Sequence, residues 1–124
     1  MREDVVRLSV PAKAEYLVAA RLVAGAIFGQ AGFDMDDIAD AKTALSEACL
    51  LLMPDEKEKA DLHIEMRVND GVHTVVSTEG SPAQNTGAPG HEFSLFMLEA
   101  LIDSVKFEQE GGRSSYRLFK ALPV

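Results

Sequence analysis

Between Leu62 and Thr78 the chain alternates with a period of two, and this constrains the fold more than any other feature. Leu62, Ile64, Met66 and Val68 are interleaved with His63, Glu65 and Arg67, and Asn69-Asp70-Gly71 then leads into Val72 to Thr78. Successive side chains of a strand point to opposite faces, so this pattern describes a half-buried strand, a turn and a partner strand. A hairpin with one apolar and one polar face leaves one sheet face in water and requires a cover for the other. A second hairpin follows near the end of the chain: Val105 to Gln109, a Glu110-Gly111-Gly112-Arg113 turn, and Ser115 to Ala121. Val5 to Val10 (VVRLSV) reads as a further strand that Pro11 stops.

The cover has to be helical. From Lys13 to Gly29, the residues Leu17, Ala20, Ala24, Ile27 and Phe28 share a face, with Gly32 at the following turn. From Asp36 to Met53, Ile38, Ala41, Leu45, Ala48 and Leu52 recur at three- and four-residue steps, and Asp34 or Asp36 can cap the first N–H groups. In Phe93 to Asp103 the stripe Phe93, Phe96, Met97, Ala100 and Leu101 is expected to face the core. The order β-α-α-β-β-loop-α-β-β predicts an α+β fold, a two-layer sandwich with a mixed, mainly antiparallel sheet and helices on one face. At 124 residues, with no repeat or internal linker, residues 1–124 read as a single domain.

Charge narrows the function. Twenty acidic against twelve basic residues leave a net charge of −8 with no cationic cluster, so no nucleic-acid partner is expected. Cys49, the single cysteine, allows no intrachain disulfide and lies within a helical pattern, where a packed thiol is the expectation. His63, His73 and His91 share no ligand spacing, so no metal site is expected. The apolar stretch Leu17 to Phe28 contains Arg21 and is too short to cross a bilayer, and Arg2, Glu3, Asp4 and Arg7 leave no apolar run at the start. No membrane association and a cytoplasmic location are expected.

The second helix poses the question of chemistry. Asp36, Asp40, Thr43 and Glu47 form a polar stripe, but one turn beyond Glu47 stand Leu50 and Leu51.

The segments VPAKAEYLVAARL (Val10 to Leu22) and DDIADAKTALSEAC (Asp36 to Cys49), followed by VVSTEG and LFMLEALIDSVKFE, resemble the anti-sigma-factor serine kinases of bacterial partner-switching systems. These kinases share the histidine-kinase-like ATPase fold with DNA gyrase and sensor histidine kinases. The resemblance implies a nucleotide held between the second helix, the loop after the first hairpin and the third helix. It makes Glu47 the general base that takes a proton from an attacking hydroxyl. It makes Thr78, Gly80 and Gly90 the counterparts of the nucleotide-binding motifs, with ATP and Mg²⁺ as cofactors if the site is active. It places Arg21 at a surface that contacts partner proteins, either a sigma factor, an antagonist or a related regulator, and it implies a homodimer.

Three departures set this chain apart from that family. Leu51 replaces the asparagine that holds Mg²⁺, and an alkyl group cannot ligate a hard cation. Thr78 replaces the aspartate that reads the adenine amino group, and so lacks its charge. Ala88-Pro89-Gly90-His91-Glu92 replaces a glycine-rich phosphate cradle: Pro89 removes one N–H and Glu92 adds negative charge. At roughly 1–3 kcal/mol per polar contact, three losses take a micromolar site towards millimolar. The expectation is a regulatory protein whose nucleotide site is vestigial and which needs no cofactor. The alternatives are an active ATP-dependent serine/threonine kinase of unusual chemistry and a regulatory subunit that pairs with an intact kinase relative.

Overall fold

A computed structural model describes residues 4–54, 59–79 and 91–123. The elements run β1 (Val5–Pro11), a short 3-10 turn (Ala14–Tyr16), α1 (Leu17–Gln30), α2 (Met35–Leu51), β2 (Asp61–Val68), β3 (Gly71–Glu79), α3 (His91–Leu101), β4 (Ser104–Glu110) and β5 (Arg113–Ala121). All described strand pairs are antiparallel, in the order β1-β2-β3-β5-β4. The three described α-helices lie on one side of this sheet as the alternation requires, so the two-layer α+β architecture stands.

Register follows the apolar pattern. Leu62 pairs with Thr78, Ile64 with Val76 and Met66 with Thr74, and Val76 pairs on its other side with Tyr116. These residues are all buried under the helices. A slip of one residue would turn the whole set to solvent, so burial itself holds the register. The Asn69-Asp70 turn connects β2 to β3, and Gly71 lies within β3 rather than at a left-handed turn position. Its lack of a side chain is still required: a Cβ there would run into the Lys120 carbonyl and the Phe119 ring. Positive φ falls instead at Gly111 (59°) and Gly112 (77°), which turn the second hairpin.

The α2 N-terminus is capped by Asp34, whose carboxylate accepts a hydrogen bond from the Asp37 N–H at 2.8 Å. Asp36 and Asp37 in the first turn favour the positive end of the helix dipole. Leu17, Ala20, Ala24 and Phe28 of α1 and Ala41, Leu45, Ala48 and Leu52 at α2 are buried as their spacing predicts. The helix expected to begin at Lys13 instead opens with the 3-10 turn.

One face is corrected. Phe93 and Phe96 of α3 are 66% and 69% exposed, and Ala100 is exposed too, so of the expected stripe these three are not core, while Leu101 packs against it. Leu98 and Ile102 are buried, with Leu95 and Leu101 packed beside them. The inward stripe is thus rotated by about one residue from the one the aromatics suggest, and aliphatic side chains fill the space between α2 and the sheet.

Candidate functional site

Helix α2 packs against α1, α3 and β3, so it joins every element that carries a candidate residue. Glu47 stands in its C-terminal half, partly buried, and makes no hydrogen bond or ion pair among the described residues. One turn on, the two leucines separate. Leu51 is 4% exposed and belongs to the core cluster, whereas Leu50 is 46% exposed on the outer surface. The polar stripe ends because rotation along the helix carries position 51 beneath the neighbouring elements.

Thr78, expected to end the second strand of the hairpin, lies inside β3 and is 1% exposed. Its hydroxyl donates to the Asp61 carbonyl at 3.0 Å. Gly80, Pro89 and Gly90 lie outside the described residues. The first turn of α3, where phosphate would meet backbone N–H groups, carries the exposed carboxylate of Glu92. No buried polar side-chain atom among the described residues lacks a hydrogen-bond partner.

A groove of about 980 Å³ opens at this end of the sheet. Lys13, Met53, Pro54, Asp61, His63 and Glu79 contribute to its walls, so both signs of charge face it. None of its lining residues is Glu47 or Thr78.

Arg21 lies elsewhere, on the outer surface of the helical layer. Its Nη1 donates to Ser46 Oγ at 3.2 Å, which ties α1 to α2. The two helices approach closely one turn away, where a Cβ on Gly25 would meet Lys42 Cε at 2.7 Å. Val18 and Leu22 bracket Arg21 on α1 at 61% and 67% exposure, and Leu50 stands one turn beyond Ser46 on α2. Arg21 and Leu50 therefore belong to one surface, which joins an apolar rim to a cation that, among the described residues, is hydrogen-bonded to a neutral hydroxyl. Leu50 was legible only as an interruption of the polar stripe; its place in this surface follows from α1 and α2 packing side by side.

Cys49 is wholly buried, and burial pushes its thiol up to about 12. It is a packing residue, in agreement with its helical context. No cluster of metal-ligating side chains occurs among the described residues, and no described helix is long and apolar enough to cross a membrane.

Residues 10–119 match the histidine kinase-like ATPase domain family. The serine-protein kinase RsbW of Staphylococcus aureus (strain bovine RF122 / ET3-1) is 30% identical, over 90% of this chain and 83% of its own length. The serine-protein kinase RsbW of Oceanobacillus iheyensis is 29% identical, over 88% of this chain and 82% of its own. A crystal structure of the RsbU and RsbW domains of Rv1364c from Mycobacterium tuberculosis superposes with a TM-score of 0.71 at 18% identity. That superposition covers 96% of this chain and 32% of the larger one, and supports the fold.

Proposed function

Because the chain belongs to the anti-sigma-factor serine kinases of the histidine kinase-like ATPase family, we propose that it is a regulatory protein-binding module whose nucleotide site is vestigial. The observation that carries this reading is the burial of Leu51 in the core, one turn from Glu47. A metal-bound nucleotide needs an oxygen donor at that position, and none of the described neighbours replaces it. Thr78 offers only a buried neutral hydroxyl where a carboxylate would accept from the adenine amino group, and Glu92 sets a negative charge where phosphate would approach. This donor set does not fit Mg²⁺ and ATP, and no chemical step is assigned to them. Titration calorimetry with ATP or ADP and Mg²⁺ tests the reading: binding weaker than about millimolar is expected, and micromolar binding overturns it.

The protein partner is a sigma factor, an antagonist of the anti-sigma type, or a related regulator, held at the Arg21 surface. The family resemblance suggests the partner class, and the exposed apolar rim of Val18, Leu22 and Leu50 supplies the local support. A homodimer and a cytoplasmic location complete the proposal.

A second reading, an active serine kinase, is favoured by Glu47 alone. Its carboxylate keeps the helix position of the general base and has no partner among the described residues that would neutralise it. Phosphate transfer from ATP to a candidate antagonist, lost on Glu47→Gln, would establish that reading.

A further inference from the structure

Helix α3 meets the core through Leu98 and Ile102, with Leu95 and Leu101 beside them, so the core does not need the aromatic rings on the opposite side. Successive helix residues turn by about 100°, which puts Phe93, Phe96 and Ala100 in one band about 60° wide. All three are exposed. Their spacing, three residues and then four, is that of the seam between two packed helices, and the small Ala100 leaves a hole after the two rings.

Charge borders this seam on one side. Glu92 and Glu99 lie seven residues apart, so they fall on the same edge of the band, and both are exposed. Neither forms an ion pair among the described residues, and α3 contains no Lys or Arg. The half-buried Met97 forms the other edge. Helix α2 packs against both α1 and α3, so the seam lies a helix away from Arg21. It is distinct from the Arg21 surface, and its occupancy does not depend on the nucleotide site.

We propose that this face docks an amphipathic helix of another protein, with apolar residues that interleave with Phe93, Phe96 and Ala100 and with Lys or Arg alongside Glu92 and Glu99. The charges select this occupant. A second copy of α3 laid antiparallel would set one acidic edge against the other, and laid parallel it would set each acidic edge against an uncharged Met97 edge. Nucleic acid and anionic lipid are repelled by the same carboxylates. A basic helix alone satisfies both the apolar seam and its acidic border. From Phe93 to Ala100 the seam is only about 11 Å long, so the contact is short and of modest affinity.

The test uses the full chain and two synthetic three-heptad peptides, alike in their leucine seam but flanked by lysine in one and by glutamate in the other. Fluorescence anisotropy should show the lysine peptide binding the wild type at least about tenfold more tightly than the glutamate peptide. The double variant F93S/F96S should bind the lysine peptide about tenfold or more weakly, with its circular dichroism unchanged. The double variant E92K/E99K should reverse the preference. That variant is still net acidic, so attraction to overall charge alone would leave the lysine peptide preferred. Unchanged binding by F93S/F96S, or a preference that E92K/E99K does not reverse, refutes the seam. Self-association of the wild type that F93S/F96S loses would assign the face to a second copy and overturn the basic partner.

Discussion

Arg21 on α1 donates to Ser46 on α2 at 3.2 Å, one residue before Glu47, so the proposed partner surface and the candidate base share a turn. Ser46 is neutral, and the bond orients the guanidinium without cancelling its charge. A carboxylate on a docked protein would meet that charge inside a ring of apolar side chains. Arg21→Glu is expected to abolish capture of the partner in a pull-down from the native cytoplasm. Stability should change by no more than about 0.5 kcal/mol, the range of neutral surface changes. Ser46→Ala, which frees the guanidinium but keeps it, should weaken capture only a few-fold. Undiminished capture by Arg21→Glu would remove Arg21 from the interface.

Leu51→Asn reinstates the residue type that holds Mg²⁺ in the family, yet it should fail to restore nucleotide binding. Position 78 would still lack a carboxylate, and Glu92 would still oppose phosphate. The amide would enter a site lined by packed hydrocarbon, with polar groups left unpaired. A destabilisation of about 2–4 kcal/mol is expected, read by denaturant unfolding. Micromolar ATP binding by this variant in calorimetry would show that Leu51 alone closes the site.

The two faces of α3 make opposite predictions. Leu98 has no exposed surface, so Leu98→Ala should cost about 2–5 kcal/mol. Phe93→Ser and Phe96→Ser remove side chains that are already largely in water. Each should change stability by less than about 1 kcal/mol in the same unfolding measurement. Comparable losses at all three positions would contradict the orientation of this helix.

How far residues alone lead depends on whether one period or several fit the pattern. The Leu62 to Thr78 alternation has a single solution, and with it come the hairpin, the wet face and the helical cover. Along α2, Ala41, Leu45 and Ala48 also have one solution, and Asp34 marks the start. In α3 two stripes fit, one through Phe93 and Phe96 and one through Leu95 and Leu98; the larger aromatics point to the wrong one. Only packing against α2 and the sheet selects between them. The site was legible as residue types: Glu47 present, and oxygen donors missing at Leu51. What was not legible is contact at a distance, such as Thr78 satisfied by a carbonyl 17 residues earlier. The separation of Leu50 from Leu51 likewise depends on which neighbours α2 meets.

Cys49 makes the fold sensitive to alkali. Its thiol has an ordinary value of 9.0 and is pushed up to about 12 by burial, which disfavours the thiolate. Below pH 9 the thiol is protonated in both folded and unfolded chains, so its contribution to stability is fully present. Above pH 9 the unfolded chain releases the proton while the folded chain retains it, and stability falls by about 1.4 kcal/mol per pH unit until the folded value near 12 is reached. Tyr116, raised by burial from 10.0 to about 12, adds a loss of the same sign that begins one unit higher. The measurement that isolates the thiol from Tyr116 is a difference. Thermal unfolding of the wild type and of Cys49→Ala should diverge in pH dependence from pH 9 upward, the wild type falling faster. Below pH 9 the two curves should run parallel, offset by the packing lost with the sulfur. Alkylation by iodoacetamide gives an independent check: the native thiol should react only as the chain unfolds. Parallel curves throughout, with rapid labelling of the folded protein, would mean that Cys49 is open to solvent.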